Sequence, residues 1–281
     1  AMYQAKEAGR NTFSFFSPEM QQQIEERMHL LEHLRQALAE HRLEVWYQPQ
    51  LDDQDRLIGV EALVRWRHPD LGMIPPTRFI PLAEESGLIE PLSHFVLHQA
   101  LATRERWVRD FPNQAIPRLS VNVSALQFRK DSFVEQVRQA LAETGADPRH
   151  LILEITESML VGDVEATVAK MQSLKETGVR FSIDDFGTGY SSLAYIKRLP
   201  ISEIKIDRSF VQDMLENPND SVLVSTIIGL SHQLKLDVVA EGVETKAMRD
   251  ALLASGCRLF QGYFFSRPLP AEDFDQKYFR A

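Results

Sequence analysis

Leu151-Ile152-Leu153-Glu154-Ile155, then Val164–Glu176, then Arg180-Phe181-Ser182-Ile183-Asp184-Asp185 is the stretch that decides the fold. The outer segments are short apolar runs of strand length, and the middle one carries its apolar residues at helical spacing. Strands that are apolar on both faces and joined through a helix pair in parallel beneath a cover of helices. The same unit recurs in both directions. Strand-like runs lie at Leu43–Tyr47, Leu57–Leu63, Leu119–Val123, Glu203–Ile206, Val238–Ala240 and Cys257–Phe260. Helix-like runs lie at Pro91–Val108, Asp131–Glu143, Asp220–Leu234 and Lys246–Ala254. A count of about eight strands favours a closed α/β barrel of the TIM-like (β/α)8 kind over an open doubly wound sheet.

Ahead of the barrel, Ser17-Pro18-Glu19 has the chemistry of a helix start: a hydroxyl cap, a proline at the first position and an acid in the first turn. A helix is expected from Pro18 to about Glu40, with Met28, Leu31, Leu34 and Leu38 on its apolar stripe. Residues 1–16 read as the end of something else, a helical turn, a Gly9-Arg10-Asn11 break and a strand at Phe13–Phe16. The expected division is therefore 1–16 as a remnant of a preceding domain, 17–41 as linker and N-terminal helix, and 42–281 as barrel. A chain opening on Ala1-Met2-Tyr3 reads as a piece of a longer protein, with any membrane or sensory segment lying outside it.

A net charge of −9 argues against coating a polymeric nucleic acid, which needs a basic face. It leaves room for an anionic small ligand if bound cations reverse the sign locally. The single Cys257 excludes an internal disulfide and a cysteine zinc site, and fits a cytoplasmic location. No run approaches the ~18 uninterrupted apolar residues of a membrane span, so this chain is expected to make no membrane contact.

Active sites of such barrels sit at the C-terminal ends of the strands. The polar residues in or just after the expected strands are Glu61, Asn122, Glu154, Asp184, Asp185, Lys205, Glu241 and Gln261. Charged groups inside apolar strands need partners or metal. Carboxylates converging on one mouth would repel one another, and divalent cations are the remedy. Oxygen-only ligands suit Mg2+ or Mn2+ rather than zinc. The adjacent Asp184-Asp185 pair suits two ions about 3.5–4 Å apart clamping an in-line phosphoryl displacement. Lys205 would then stabilise phosphate charge or orient the attacking water.

At these residues the chain resembles the EAL family. The matching blocks are Tyr47-Gln48-Pro49, Glu61-Ala62-Leu63-Val64-Arg65-Trp66, Val121-Asn122-Val123-Ser124 and Leu153-Glu154-Ile155-Thr156-Glu157-Ser158. They continue through Asp184-Asp185-Phe186-Gly187-Thr188-Gly189, Ile204-Lys205-Ile206-Asp207, Glu241-Gly242-Val243-Glu244 and Gln261-Gly262-Tyr263. The resemblance implies metal-dependent opening of cyclic di-GMP to linear pGpG, in a barrel with one strand antiparallel to the rest. It implies one ion on Glu61, Asn122, Glu154 and Asp184, and a second near Asp184, Asp185 and Glu241. Gln261 belongs with the metal-water network, and Lys205, Glu241 and Glu61 with the catalytic groups. Gln48, Arg65 and Asp207 match substrate contacts. Glu157 matches an anchor of the loop after Asp185, which in the family leads to a dimer interface, so a homodimer is implied. Residues 1–16 resemble the tail of a GGDEF (diguanylate cyclase) domain, which would precede this one in the parent chain.

Four other readings carry less. Phe186-Gly187-Thr188-Gly189 lacks the third glycine of a dinucleotide loop and follows two aspartates. His94 and His98, like His29 and His33, are four apart without a zinc-protease glutamate between them, and read as packing or surface residues. A silent cyclic di-GMP receptor is the alternative function, disfavoured by a complete ligand set. An enolase-type barrel would leave Asp185, Asn122 and Arg65 without roles.

Overall fold

The computed structural model describes residues 18–40, 42–160, 164–189 and 196–280. The turn and strand expected before residue 17, and the cap at Ser17, lie outside the described residues. Two compact units are present, one of residues 65–92 with those up to Leu43, the other of residues 44–64 and 93–281.

In the first unit, helix α1 (Pro18–Ala39) buries Leu30, Leu34 and Ala37. Met28, expected on that stripe, is 66% exposed. Two residues from Leu30 is roughly 200° around the helix, which turns Met28 to the opposite side. The end of strand β2 (Leu57–His68) pairs antiparallel with β3 (Gly72–Ile74), and α2 (Pro76–Ser86) follows. No helix was among those expected over α2, which carries Pro76 and Pro81. Pro76 occupies the first helical turn, where its missing N–H has no partner to lose. Phe79 of α2 packs edge-on against Trp66, ring centroids 5.6 Å apart. His68 and His33 share a hydrogen bond of 2.9 Å between Nε2 and Nδ1, a packing contact as expected of His33.

The second unit is the barrel. Around it run β1 (Leu43–Asp52), β2, β4 (Arg118–Asn122), β5 (Leu151–Thr156), β6 (Arg180–Phe186), β7 (Glu203–Ile206), β8 (Asp237–Ala240) and β9 (Leu259–Phe260), and β1 closes the ring by pairing with β2. From β2 through β9 every neighbouring pair is parallel. β1 alone runs against them, with Leu51 opposite Phe260 of β9. Two-residue β10 (Leu269–Pro270) pairs antiparallel with the earlier part of β1, at Trp46 and Tyr47. Neither β3 nor β10 is long enough to show a period, and neither was expected from sequence.

Helices α3 (Ile89–Asp110), α4 (Ala125–Arg129), α5 (Phe133–Thr144), α6 (Val164–Lys175), α7 (Arg208–Asp213), α8 (Pro218–Gln233), α9 (Lys246–Ala254) and α10 (Ala271–Tyr278) complete the chain. Strand residues Ile152, Leu153, Ile155, Phe181, Ile183, Ile204, Ile206 and Val239 are all buried, as a sheet covered on both faces requires. The C-terminal α10, too short and polar to be read from sequence, is tied down by Asp275. Its carboxylate accepts from both Arg106 terminal nitrogens, at 2.5 and 3.1 Å, and from Trp107 Nε1. Tyr47, Trp107, Phe274 and Phe279 form an aromatic cluster beneath that contact. No helix among the described residues is long and apolar enough to cross a membrane.

Candidate active site

The parallel register stacks the strand ends so that their polar residues meet. Asn122 closes β4 opposite Glu154, and Thr156 of β5 stands opposite Asp184 of β6. Lys205 lies within β7, Glu241 follows β8 directly and Gln261 follows β9 directly. Side chains alternate across a strand, so Glu154, Asp184 and Lys205 share the face opposite their apolar neighbours, and Glu241 and Gln261 reach that face through Lys205 and Glu61.

Lys205 is the hub. Its Nζ lies 2.6 Å from Glu241 Oε1, 2.8 Å from Glu154 Oε2, 3.2 Å from Asp184 Oδ1 and 3.5 Å from Glu61 Oε2. A fully buried ammonium is costly unless paired. Burial pushes its pKa down, but the charges of Asp184, Glu154, Glu241 and Glu61 outweigh that and hold it well above its ordinary value. One cation cannot satisfy all its neighbours. Burial, then the charge of Glu61, raises the Glu154 carboxyl well above the carboxylate range. Burial lifts Glu241 to about 8 against the pull of Lys205. Asp185, half-buried beside Asp184, is lifted to about 6. Glu61 goes the other way. Despite burial, Lys205 and the amides of Gln261 and Asn122 keep it below its ordinary value.

These are the marks of a cation site. Carboxylate oxygens of Asp184, Asp185 and Glu241 lie within 4.8 Å of one another. Glu154 Oε1 is buried without a hydrogen-bond partner. The donors are all oxygens, the set that hard divalent cations prefer. Asp185 adopts a left-handed backbone (φ 52°), a strained state for a residue with a side chain.

Amides line the other wall. Asn122 Nδ2 donates to Glu61 Oε1 at 2.6 Å, and Gln261 Nε2 donates to Glu61 Oε2 at 2.5 Å. Gln48 takes a bond from Gln261 at 3.3 Å and gives one to the Ser266 carbonyl. Glu157 Oε2 accepts from the backbone N–H groups of Gly187 and Gly189, 3.1 Å each, which ties down the start of the loop after Asp185. Asp207 sits at the head of α7, where its Oδ1 accepts from Ser209 N at 2.9 Å as an N-cap. Arg65 lies half-buried in β2 within the first unit.

A cavity opens over the cluster, lined by Gln48, Glu61, Asp184, Glu241 and Gln261 together with Arg208, Gln212, Glu244 and Tyr263. The sequence reading gave no role to the last four or to Gln50. Arg208 and Glu244 follow strand ends by only a few residues, and that position was the available signal. The loops behind them are closely packed: a Cβ on Gly262 would fall 2.1 Å from the Val243 carbonyl oxygen. Elsewhere, His94 and His98 stack at 6.2 Å, and His98 lies 3.8 Å from Glu143. Among the described residues the only group of three or more His, Cys, Asp or Glu able to hold an ion is Asp184, Asp185 and Glu241.

Comparison with known proteins agrees with this architecture. The chain is 46% identical over 273 residues to the bifunctional diguanylate cyclase/cyclic di-GMP phosphodiesterase MucR of Pseudomonas aeruginosa, covering 97% of this chain and 40% of that protein. It is 44% identical over 274 residues to the oxygen sensor protein DosP of Escherichia coli, covering 97% of this chain and 34% of that one. It thus spans less than half the length of either relative. The solved cyclic di-GMP complex of PaMucR phosphodiesterase superposes with a TM-score of 0.85 at 45% identity, over 88% of this chain and 99% of that one. The model of the EAL domain matches residues 31–268. With the barrel, the reversed first strand and that match in hand, the chain belongs to the EAL domain family.

Proposed function

We propose that this chain hydrolyses one phosphodiester bond of cyclic di-GMP to linear 5′-pGpG in a reaction that needs Mg2+ or Mn2+, two ions per site. The observation that carries the reading is Lys205 ringed by Glu61, Glu154, Asp184 and Glu241 at the C-terminal ends of the strands. With Asp185, five carboxylates and one ammonium carry a formal charge of −4, which two divalent cations balance. Relatives named as cyclic di-GMP phosphodiesterases support the substrate.

Glu61, Asn122, Glu154 and Asp184 would hold one ion, and Asp184, Asp185 and Glu241 the other, with Gln261 acting through water. Cations bound there would supply a strong nucleophile at neutral pH and offset charge on the attacking and leaving oxygens. The chain's own groups do the rest. Lys205 stays protonated and directs N–H bonds at the attacking water or the phosphate oxygens. Glu241 accepts the water's proton, and Glu61 fixes the amide wall against which the site is built. Gln48 and Arg65 contact the substrate, Arg65 at a phosphate. Asp207 caps α7 and keeps Arg208 at the cavity, beside its own assigned substrate contact. Glu157 holds the loop after Asp185, and a homodimer joined through that region belongs to the same proposal. So do the division at residues 16 and 41, a GGDEF-like domain ahead of this one and a cytoplasmic setting.

Incubation of the purified chain with cyclic di-GMP and Mg2+ or Mn2+, with EDTA controls, tests the reading by chromatography of the products. Metal-dependent linear pGpG is the expected result. Measurable binding of cyclic di-GMP with no product under either metal would replace it with a receptor role.

A further inference from the structure

Gln261 is held by more than its contact with Glu61. Its amide nitrogen gives bonds to Glu61 Oε2 at 2.5 Å and Gln48 Oε1 at 3.3 Å, and its oxygen takes one from Gln50 Nε2 at 3.0 Å. Gln50 is 1% exposed and Gln261 4%, so none of these bonds is readily exchanged for water. An amide with its oxygen facing a donor and its nitrogen facing acceptors has one orientation. Two of its three partners, Gln48 and Gln50, lie two residues apart on one face of β1, the strand that runs against the others. Gln50 reaches Gln261 by lying across Gly59 of β2. A Cβ there would stand 2.1 Å from Gln50 Oε1 and 3.1 Å from its Cδ.

We infer that Gln50, seated over Gly59, is a positioning residue for the metal site: it pins the Gln261 amide so that Gln261 in turn holds Glu61 in its ligating pose. Gln50 touches neither substrate nor ion, and acts through Gln261. Loss of such a supporting hydrogen bond at a metal site costs roughly tenfold or more in metal affinity or activity. The inference rests on the reading of the cluster as a divalent-cation site.

Its test is Mn2+ binding to the purified chain by calorimetry, alongside steady-state kinetics with cyclic di-GMP. Gln50→Met keeps the length of the side chain and removes the donor. Gly59→Ala leaves Gln50 intact but drives its amide off the glycine. Each is expected to weaken Mn2+ binding about tenfold and lower kcat, with little change in KM for cyclic di-GMP. Gln50→Ala serves as the single variant for a cycle, and the pair Gln50→Ala/Gly59→Ala is expected to bind Mn2+ no more weakly than Gln50→Ala or Gly59→Ala alone, because both remove the same contact. Should Gln50→Met fail to fold, Gly59→Ala carries the test. Wild-type Mn2+ affinity in the folded variants, or additive losses in the double variant, would overturn the inference. Because the Mn2+ titration needs no turnover, it decides the role of Gln50 even if wild-type protein releases no pGpG, an outcome that sinks the hydrolytic reading instead.

Discussion

Lys205 Nζ stands 2.6 Å from Glu241 Oε1, although one residue lies inside β7 and the other just past β8. Their strands are neighbours and parallel, with Lys205 opposite Val239, so the next inward position on β8 delivers Glu241 to the ammonium. That contact joins the catalytic base of the proposal to the only buried cation of the cluster. Replacing Lys205 by Met should therefore lower turnover of cyclic di-GMP by about a hundredfold or more, the loss typical of a preorganised charge at a reacting centre. Mn2+ binding should persist, since the carboxylates remain. Kinetics and calorimetry on one preparation check both halves, and near-normal turnover would remove Lys205 from the reaction.

The carboxylates also set a pH dependence. Burial and like charges raise Glu241 from its ordinary 4.5 to about 8 and Glu154 well above 4.5 in the metal-free protein. Folded protein then keeps protons that the unfolded chain has released, so stability falls as pH rises from 4.5 towards 8. His150, held low by burial and Arg104, opposes this weakly from the surface. The melting temperature in EDTA should decline between pH 5 and pH 8, while the increase caused by saturating Mn2+ should grow, because ions bind the deprotonated form. A flat or rising metal-free melting temperature over that window would contradict the assignment.

Glu157→Ala should act through the loop. It removes the acceptor shared by Gly187 N and Gly189 N, and leaves the donor of half-buried Gly187 and that of exposed Gly189 without this partner. Hydrogen exchange at residues 187 and 189 should quicken, and turnover should fall by roughly tenfold, the scale of a lost bond of 1–3 kcal/mol. Unchanged exchange at both amides would show that the loop start is held by something else.

Asp275→Ala tests the fold rather than the chemistry. Asp275 is 3% exposed and bonded to Arg106 and Trp107. Truncation strands a partly buried guanidinium and an indole N–H, and should cost about 3 kcal/mol of unfolding free energy. Urea denaturation reads this directly. A loss below about 0.5 kcal/mol, ordinary for a surface change, would mean that α10 is held by its aromatic contacts alone.

Much of this could be read from local pattern. Glu154, Asp184 and Lys205 stand out as a set, because several charged residues at the ends of apolar strands need partners or metal even where any one alone could be a surface residue. The helices α3, α5, α6, α8 and α9 carry enough turns to show their period. What escaped lacked that repetition: α4, α7 and α10 span a turn or two, and α2 is disguised by Pro76 and Pro81. Asp207, read as a substrate contact, is also the cap of α7, a role visible only once α7 is known.

The sequence alone determined that apolar strands alternate with helices, that the ring is large enough to close, and that its polar residues gather at one end. Those follow from period and from the cost of burying charge, both local properties of the chain. Tertiary structure decided which groups meet. Gln50 donates to Gln261 from 211 residues away, and Lys205 faces Glu154 and Glu61 from two further strands. Such pairings depend on strand order, on register and on the reversal of β1, which a hydrogen bond of about 3 Å senses and a periodic pattern does not.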